Sequence, residues 1–126
     1  MRPAFKTEAE EQGTTVCLDF DLVLNSYYTG WMGDEVIPDP PYPGAKEAVE
    51  KLRADGYVVK VLSTRCRSKR GAYAVQAWLD KHGIVVDEVC RTKPAAICYL
   101  DDRAIRFNGS WPDALEQIKA LHNNGW

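Results

Sequence analysis

The sequence predicts a single-domain α/β protein in which helices cover a mostly parallel β-sheet. Strand-like and helix-like segments alternate along the chain, which is typical of layered α/β folds. The strand-like segments are continuous apolar runs more than alternating patterns, as expected for strands buried on both faces. The length of 126 residues suits one domain, and we find no internal repeat. These observations indicate a three-layer, Rossmann-like fold spanning residues 1–126.

The first half of the chain contains two strands separated by a long loop segment and a helix. The polar residues 1–13 are expected to be loose, and the first strand is predicted at 14–20. Residues 25–43 are rich in aromatic residues, glycine and proline, which indicates an ordered loop or a small hairpin. The following helix has apolar residues at helical spacing and Gly56 as its stop: Ala45, Ala48, Val49 and Leu52. The second strand is predicted at 57–64.

The second half continues the alternation. A helix over 69–83 is predicted to carry its apolar stripe through Tyr73 or Ala74, Ala77, Trp78, and Lys81 or His82. Short strands follow at 84–90 and 95–102. The last helix, at 113–122, is amphipathic through Leu115, Ile118 and Leu121.

Composition and cysteine usage exclude several classes of protein. A net charge of −2 and a pI near 5.7 give no global attraction to nucleic acid or membranes. The acidic N-terminal segment does not resemble a signal peptide, and no apolar run is long enough to span a bilayer. The four cysteines form no C-x-x-C pair and no C-x5-R phosphatase loop, and Cys17 and Cys98 are expected to be core residues. We therefore expect a cytoplasmic protein with reduced thiols and no membrane partner.

Polar residues close three of the predicted strands. They are Asp19 and Asp21, Ser63 and Thr64, and Asp101 and Asp102. Ligands of open parallel sheets bind at the carboxyl ends of the strands, where these side chains are predicted to meet. Several carboxylates at one edge repel each other unless a cation lies between them, and Mg²⁺ prefers oxygen ligands of this kind.

The predicted cluster suits chemistry on phosphate esters. A carboxylate near a metal can act as a nucleophile toward phosphorus, and a neighbouring carboxyl group can protonate the leaving oxygen. The hydroxyl of Ser63 or Thr64 can donate a hydrogen bond to a phosphoryl oxygen. Lys93, just before the last predicted strand, is placed to balance negative charge.

Four ordered segments of the chain resemble the motifs of the haloacid dehalogenase superfamily of phosphotransferases. They are "VCLDFDLVL", "VVKVLS", "TKP" and "ICYLDD". The resemblance covers roughly residues 14–122 and implies an aspartyl-phosphate enzyme that requires Mg²⁺. Many members of the superfamily carry a separate cap domain over the site. We expect none here, because the first point at which a cap is inserted holds only residues 25–43.

The resemblance also implies a role for each matching residue. Asp19 would be the nucleophile and a metal ligand, and Asp21 the general acid/base, binding the metal through its backbone carbonyl. Ser63, more than Thr64, would hold the phosphoryl group, and Lys93 would orient the nucleophile. Asp102 would bind the metal directly, with Asp101 supporting it or binding through water.

Two positions refine this expectation. The carboxyl group of Asp21 favours a phosphatase, because an alkoxide leaving group needs a proton. Leu22 stands where members of the superfamily usually have glycine. If the backbone there has a positive φ, a leucine is strained by ~1 kcal/mol or more, and the loop is expected to be shaped differently.

The sequence does not decide between two kinds of phosphate ester as the substrate. The aromatic residues Tyr27, Tyr28 and Trp31 suit a base or sugar, with Asn25 close to the catalytic loop, and a homo-oligomer is one way to cover the site. The basic segment 65–70 suits a polynucleotide 3′-end, with Arg65 closest to the site. The principal expectation is a phosphatase of a small phosphorylated metabolite. The alternatives are a polynucleotide end phosphatase and a catalytically silent phosphate-binding module.

Overall fold

A computed structural model describes residues 13–123, so all but the last residue of the predicted loose N-terminal segment lies outside the described residues. The strands are β1 (Thr15–Asp19), β2 (Val58–Leu62), β3 (Glu88–Cys90) and β4 (Cys98–Leu100). The helices are α1 (Ala45–Ala54), α2 (Lys69–Lys81) and α3 (Trp111–Asn123), and a 3₁₀ turn, Thr64–Arg67, precedes α2. None of the helices described is long and apolar enough to cross a membrane.

The four strands form one parallel sheet in the order β3-β2-β1-β4. Asp19 pairs with Leu62 in β2, and Leu18 pairs with Leu100 in β4, so the strands end at the same edge of the sheet. The predicted α/β architecture with a parallel sheet is confirmed, and it is compatible with a Rossmann-like fold. The central position of β1 places the residues that follow it in the middle of that edge.

The main core lies between one face of the sheet and the helices α1 and α2. Val16 and Leu18 of β1 and Val59 and Val61 of β2 supply the sheet side of this core, because alternate residues of a strand share a face. The helices contribute Val49, Val75, Trp78 and Leu79. The ring of Trp78 meets Phe20 edge-on at 4.9 Å, the arrangement that aromatic quadrupoles favour.

The helices form where they are predicted, but the buried faces differ in part. In α2 the buried residues are Gly71, Val75, Trp78 and Leu79. The predicted stripe was therefore right for Trp78 and wrong for Ala77, which is exposed; of its alternatives, Ala74 and His82 are half-buried, whereas Tyr73 and Lys81 are exposed. The rotation of α2 about its axis is set at its first turn, where Ser68 caps the helix and Gly71 lies against the backbone of Arg65. In α1, Ala45 and Val49 are buried and Ala48 is exposed.

The prediction that both faces of the sheet are covered holds at β1 and fails at β4. Thr15 and Cys17, which alternate with the core residues Val16 and Leu18 and so lie on the second face, are buried. Residues 91–97, which connect β3 to β4, form no helix, so this crossover supplies no layer on the second face. All three residues of β4 are exposed, including Cys98, which was expected in the core. Helix α3 is present, yet Leu115 and Ile118 are 60% and 53% exposed and Ala114 is its buried residue. An apolar stripe identifies a helix but does not determine whether a partner surface lies beside it.

Residues 25–43 form an ordered loop, one of the two predicted conformations, and a single antiparallel bridge between Asn25 and Pro41 closes its base. Asp39 is the centre of its internal bonding: its carboxylate accepts hydrogen bonds from the backbone N–H (2.9 Å) and hydroxyl (2.6 Å) of Thr29. The indole N–H of Trp78 donates to the carbonyl oxygen of Asp39 at 2.9 Å. The flap, defined as residues 25–43, is therefore attached to helix α2.

Candidate active site

A cavity of about 390 Å³ opens at the carboxyl edge of the sheet. Its walls come from the ends of β1, β2 and β4 and from the flap. The lining residues are Asp19, Asp21, Leu22, Tyr27, Trp31, Ser63, Thr64, Asp101, Asp102 and Arg103. The structure thus brings together all three pairs of polar residues that the sequence places at strand ends.

The loop after β1 has the left-handed backbone that glycine favours. Leu22 has φ 63° and Tyr27 has φ 61°. The carbonyl oxygen of Phe20 accepts hydrogen bonds from the N–H groups of Leu24 and Asn25 at 2.9 Å, and the N–H of Leu22 donates to the carbonyl of Asn25 at 2.8 Å. These bonds hold Leu22 in a conformation that costs an L-residue ~1–2 kcal/mol. The positive φ that would strain Leu22 is therefore present.

Three carboxylates meet at one side of the cavity. One oxygen each of Asp19, Asp101 and Asp102 can be chosen so that all lie within 4.8 Å of one another. Burial, followed by contact with the carboxyl group of Asp102, raises the pKa of Asp19 to about 7. Oδ1 of Asp19 accepts a hydrogen bond from the backbone N–H of Phe20 at 2.8 Å. Carboxylates this close repel one another, and a cation placed between them would remove the repulsion.

The side chain of Asp102 gives the most direct indication that the cluster suits a cation. Its Oδ2 atom is buried without a hydrogen-bond partner, and the nearest cation is Nε of Arg103, an ion-pair contact at 3.8 Å. A buried carboxylate oxygen without a partner costs free energy that a coordinated cation would recover. Oxygen ligands of this type fit Mg²⁺. Within residues 13–123, this is the one group of three or more acidic, histidine or cysteine side chains with metal-binding spacing.

Asp21 is held separately from this cluster. Its Oδ1 accepts hydrogen bonds from Nδ2 of Asn25 at 2.9 Å and from Nε of Arg65 at 3.2 Å. Its Oδ2 accepts from the same Nε at 2.9 Å. Both oxygens of Asp21 are therefore oriented by neighbouring side chains, while the carboxyl group still lines the cavity.

Ser63 and Thr64 follow β2 and also line the cavity. The side chain of Ser63 is buried, and its Oγ accepts a hydrogen bond from the backbone N–H of Arg65 at 3.2 Å, which caps the 3₁₀ turn. A hydroxyl that accepts one hydrogen bond retains its own proton to donate to a phosphoryl oxygen. Thr64 is exposed at the mouth.

Lys93 lies outside the cavity shared by Asp19, Asp21 and Ser63. It is exposed, and its Nζ lies 4.3 Å from the centre of the Tyr99 ring. It lines a second, larger cavity of about 810 Å³, on the β4 side, which shares Asp19 and Asp101 with the first. The predicted role of Lys93, to orient Asp19, is therefore not supported by a contact between these two side chains.

The predicted substrate residues divide into two groups. Tyr27, Trp31 and Thr64 line the cavity. Tyr28 is 74% exposed and does not line it, and Asn25 and Arg65 are buried behind Asp21. The side chains of Asn25 and Arg65 donate to Asp21, so direct contact of these two residues with a substrate stays a prediction that their geometry does not support.

Two further residues line the cavity that the sequence did not indicate as part of its wall. Leu22 was considered for its backbone alone, although its side chain forms part of the wall. Arg103 lines the cavity beside the acidic pair, and its backbone N–H donates to Oδ1 of Asp101 at 2.8 Å. Its position next to Asp102 in the sequence is the signal that indicates it.

Fold and site together define an α/β protein with an acidic cluster and a separately held carboxyl group at the carboxyl edge of a parallel sheet. No known protein family, curated protein or solved structure matches the chain. What the site can do therefore follows from its geometry and chemistry.

Proposed function

We propose that the protein is a Mg²⁺-dependent phosphomonoesterase of the haloacid dehalogenase type, without a cap domain. The observation that carries this proposal is the convergence of Asp19, Asp101 and Asp102 beside a buried, unpartnered Oδ2 of Asp102. Such a set fits a hard divalent cation, and it lies at the sheet edge where parallel α/β proteins bind ligands. Asp21, two residues after Asp19, supplies a second carboxyl group outside the metal cluster.

Asp19 is the proposed nucleophile. Its Oδ1 is held by the N–H of Phe20, which leaves Oδ2 to attack the phosphorus atom. When bound, Mg²⁺ would be held by Asp19, Asp101 and Asp102 and would neutralise charge between the carboxylate and the phosphate. The bond from phosphorus to the leaving oxygen breaks as the bond to Asp19 forms, and the product of this step is an aspartyl-phosphate.

Asp21 is the proposed general acid/base. It gives its proton to the leaving alkoxide in the first step, and in the second it takes a proton from the water that attacks the aspartyl-phosphate. Asp19 is then released as a carboxylate and inorganic phosphate leaves. Ser63 donates its hydroxyl hydrogen to a phosphoryl oxygen, and Arg103 contributes positive charge at the mouth.

The cavity wall favours a small phosphate ester as the substrate. Leu22, Tyr27 and Trp31 form an apolar and aromatic side beside Asp21, which suits a base or sugar on the leaving group. The polynucleotide alternative loses the residue expected to be closest to the site, because Arg65 is buried and bonded internally. The left-handed φ of Leu22 also supports activity, since the loop keeps a conformation that glycine favours.

The proposal is tested by hydrolysis of para-nitrophenyl phosphate with and without Mg²⁺. We expect Asp19→Asn to lose about 10³-fold or more of the wild-type rate, because the nucleophile is removed. Asp113→Asn, which changes an exposed acid on α3, serves as the matched control and should retain activity. We also expect removal of Mg²⁺ with a chelator to abolish wild-type turnover.

Equal rates for wild type and Asp19→Asn would contradict the proposed mechanism. A wild type that binds phosphate but hydrolyses no ester would favour the silent binding module. Faster, strongly salt-dependent turnover on 3′-phosphorylated DNA than on mononucleotides would favour the polynucleotide substrate, because phosphate-backbone contacts release counterions.

A further inference from the structure

We propose that Arg65 is a positioning residue that joins the flap to Asp21, so that the flap is a fixed wall of the cavity and the Asp21 carboxyl group is held in one orientation. The part of this inference that concerns proton transfer rests on the proposed function. The part that concerns the flap does not.

Arg65 is buried to an unusual degree for an arginine. It is 1% exposed, and its Nε donates to both oxygens of Asp21, at 2.9 Å to Oδ2 and 3.2 Å to Oδ1. A buried guanidinium is tolerated when it is paired with a charge and its N–H groups are hydrogen-bonded. Arg65 therefore belongs to the interior of the site, behind the acid, and does not reach a substrate directly.

The other side of the same guanidinium holds the flap. Nη1 donates to three flap carbonyl oxygens, those of Gly33 (2.9 Å), Asp34 (3.2 Å) and Val36 (3.3 Å). Its central carbon lies 4.6 Å from the centre of the Trp31 ring, a cation–π distance. One side chain thus connects the proton-transfer residue with the flap segment 31–36.

The backbone of Arg65 is itself fixed. Its N–H donates to Oγ of Ser63, and its carbonyl lies so close to α2 that a Cβ on Gly71 would be 1.8 Å from the oxygen. Glycine is therefore required at position 71 for this close approach. Ser68, which caps α2, also donates its hydroxyl hydrogen to Oδ2 of Asp34 in the flap at 2.5 Å. Flap, turn and helix are locked together around Arg65.

Only arginine suits this role. Its planar fork directs Nε and Nη1 in fixed, divergent directions, whereas a lysine ammonium is a single point charge on a flexible chain. Arg65→Lys keeps the positive charge beside Asp21 but cannot make both sets of contacts. This variant removes the connection without leaving the carboxylate unpaired.

The first experiment uses two phosphate esters that differ in their need for a proton. An alkyl phosphate needs general acid help to expel its alkoxide, and 2,4-dinitrophenyl phosphate does not. We expect Arg65→Lys to lower kcat for the alkyl ester about 10- to 100-fold more than for the dinitrophenyl ester, because the carboxyl group is no longer oriented. A loss of general stability would lower both rates equally, and equal losses would overturn the role at Asp21.

Arg91→Met is the matched control for this experiment. Arg91 also donates to backbone carbonyls of the turn, those of Cys66 at 3.0 Å and Arg67 at 2.8 Å, but it makes none of the bonds to Asp21 or the flap. We expect this variant to keep the wild-type ratio of the two rates. A changed ratio in Arg91→Met would overturn the assignment to Arg65 in particular.

The second experiment needs no activity. Amide hydrogen exchange is measured in wild type, Arg65→Lys and Arg91→Met, with attention to Val36, whose N–H donates to the Gly33 carbonyl that also accepts from Arg65. We expect at least tenfold faster exchange of flap amides in Arg65→Lys alone, with α1 unchanged. Unchanged flap exchange would overturn the fixed wall. A wild type that hydrolyses neither ester would overturn the proposed function and the Asp21 role together, and exchange would still decide the flap role.

Discussion

At the scale of single residues, Leu22 is the position where the backbone conformation favours glycine although the residue present lines the cavity. Its φ of 63° favours glycine, while its side chain forms part of the cavity wall. A strained residue of this kind persists where the surrounding hydrogen bonds determine its conformation, and here three bonds to the Phe20 carbonyl surround it. Leu22 therefore contributes to the cavity wall at the cost of this backbone strain.

The strain predicts an inverted order of stability at position 22. Leu22→Ala loses the contacts of the side chain and retains the unfavourable φ, whereas Leu22→Gly loses the same contacts and relieves the φ. We expect Leu22→Gly to be the more stable of the two by about 1 kcal/mol, measured as the free energy of unfolding in urea. In helices and strands alanine is the more stable residue, so an alanine variant that equals or exceeds the glycine variant would contradict the strain.

At the scale of elements, the carboxylate of Asp87 connects the start of β3 to β2. Its Oδ2 accepts a hydrogen bond from the N–H of Val59 at 2.7 Å, and its Oδ1 accepts from Nη2 of Arg53 at 3.2 Å. Burial alone would raise the pKa of Asp87, but these two hydrogen bonds and the charge of Arg53 bring it below its ordinary value of 3.8. The Asp87 side chain thus bonds to the backbone of β2 one residue before β3 begins.

This lowered pKa predicts acid sensitivity. Because the pKa of Asp87 is lower in the folded chain than in the unfolded chain, its stabilising effect is complete above the unfolded value near 4. That effect is lost as pH falls through the folded value. We expect Asp87→Asn to lower the free energy of unfolding by about 1 kcal/mol at pH 7 and to differ less from wild type at pH 3.

Asp55→Asn is the control for this titration. Asp55 forms an exposed ion pair with Lys51 on α1 at 3.0 Å, and pairs of this kind contribute ~0.3–0.5 kcal/mol. If the difference in free energy of unfolding between Asp87→Asn and wild type grew toward pH 3, the lowered pKa of Asp87 would be contradicted.

At the scale of the whole molecule, packing is uneven across the sheet. The side of β2 and β3 carries α1 and α2 over a continuous core, whereas β4 is exposed and α3 buries little of its apolar face. The acidic cluster lies at the junction of these two regions, since Asp19 ends the buried β1 and Asp101 and Asp102 follow the exposed β4. One half of the site is thus supported by a core, and the other by an edge strand.

The uneven packing predicts unequal costs for truncating apolar side chains. Val75→Ala, in the fully buried face of α2, should lower the free energy of unfolding by about 1–2 kcal/mol. Ile118→Ala removes more side-chain atoms, yet it should cost less than about 0.5 kcal/mol because its side chain is half exposed. Urea unfolding of both variants checks this order. A larger loss for Ile118→Ala would show that α3 packs more tightly than described.

The positions of the helices and strands were predictable from sequence because the signals for them are local. Apolar runs identified β1 and β2, and helical spacing identified α1, α2 and α3 within a few residues of their bounds. The predicted strands 84–90 and 95–102 shrank to three residues each, because strand length depends on a neighbour to pair with. The face that α2 buries was predicted only in part, since contact between Gly71 and Arg65 sets its rotation.

The sequence by itself determined the parallel α/β architecture and the meeting of Asp19, Asp21, Ser63, Asp101 and Asp102 at one edge. That meeting follows from topology, because parallel strands end at the same side of a sheet whatever their details. Only the tertiary structure decided that Arg65 lies behind Asp21, that Lys93 rests on Tyr99, and that β4 and α3 are left exposed. The direction of a long side chain and the covering of an apolar face depend on residues distant in sequence, so no local pattern could specify them.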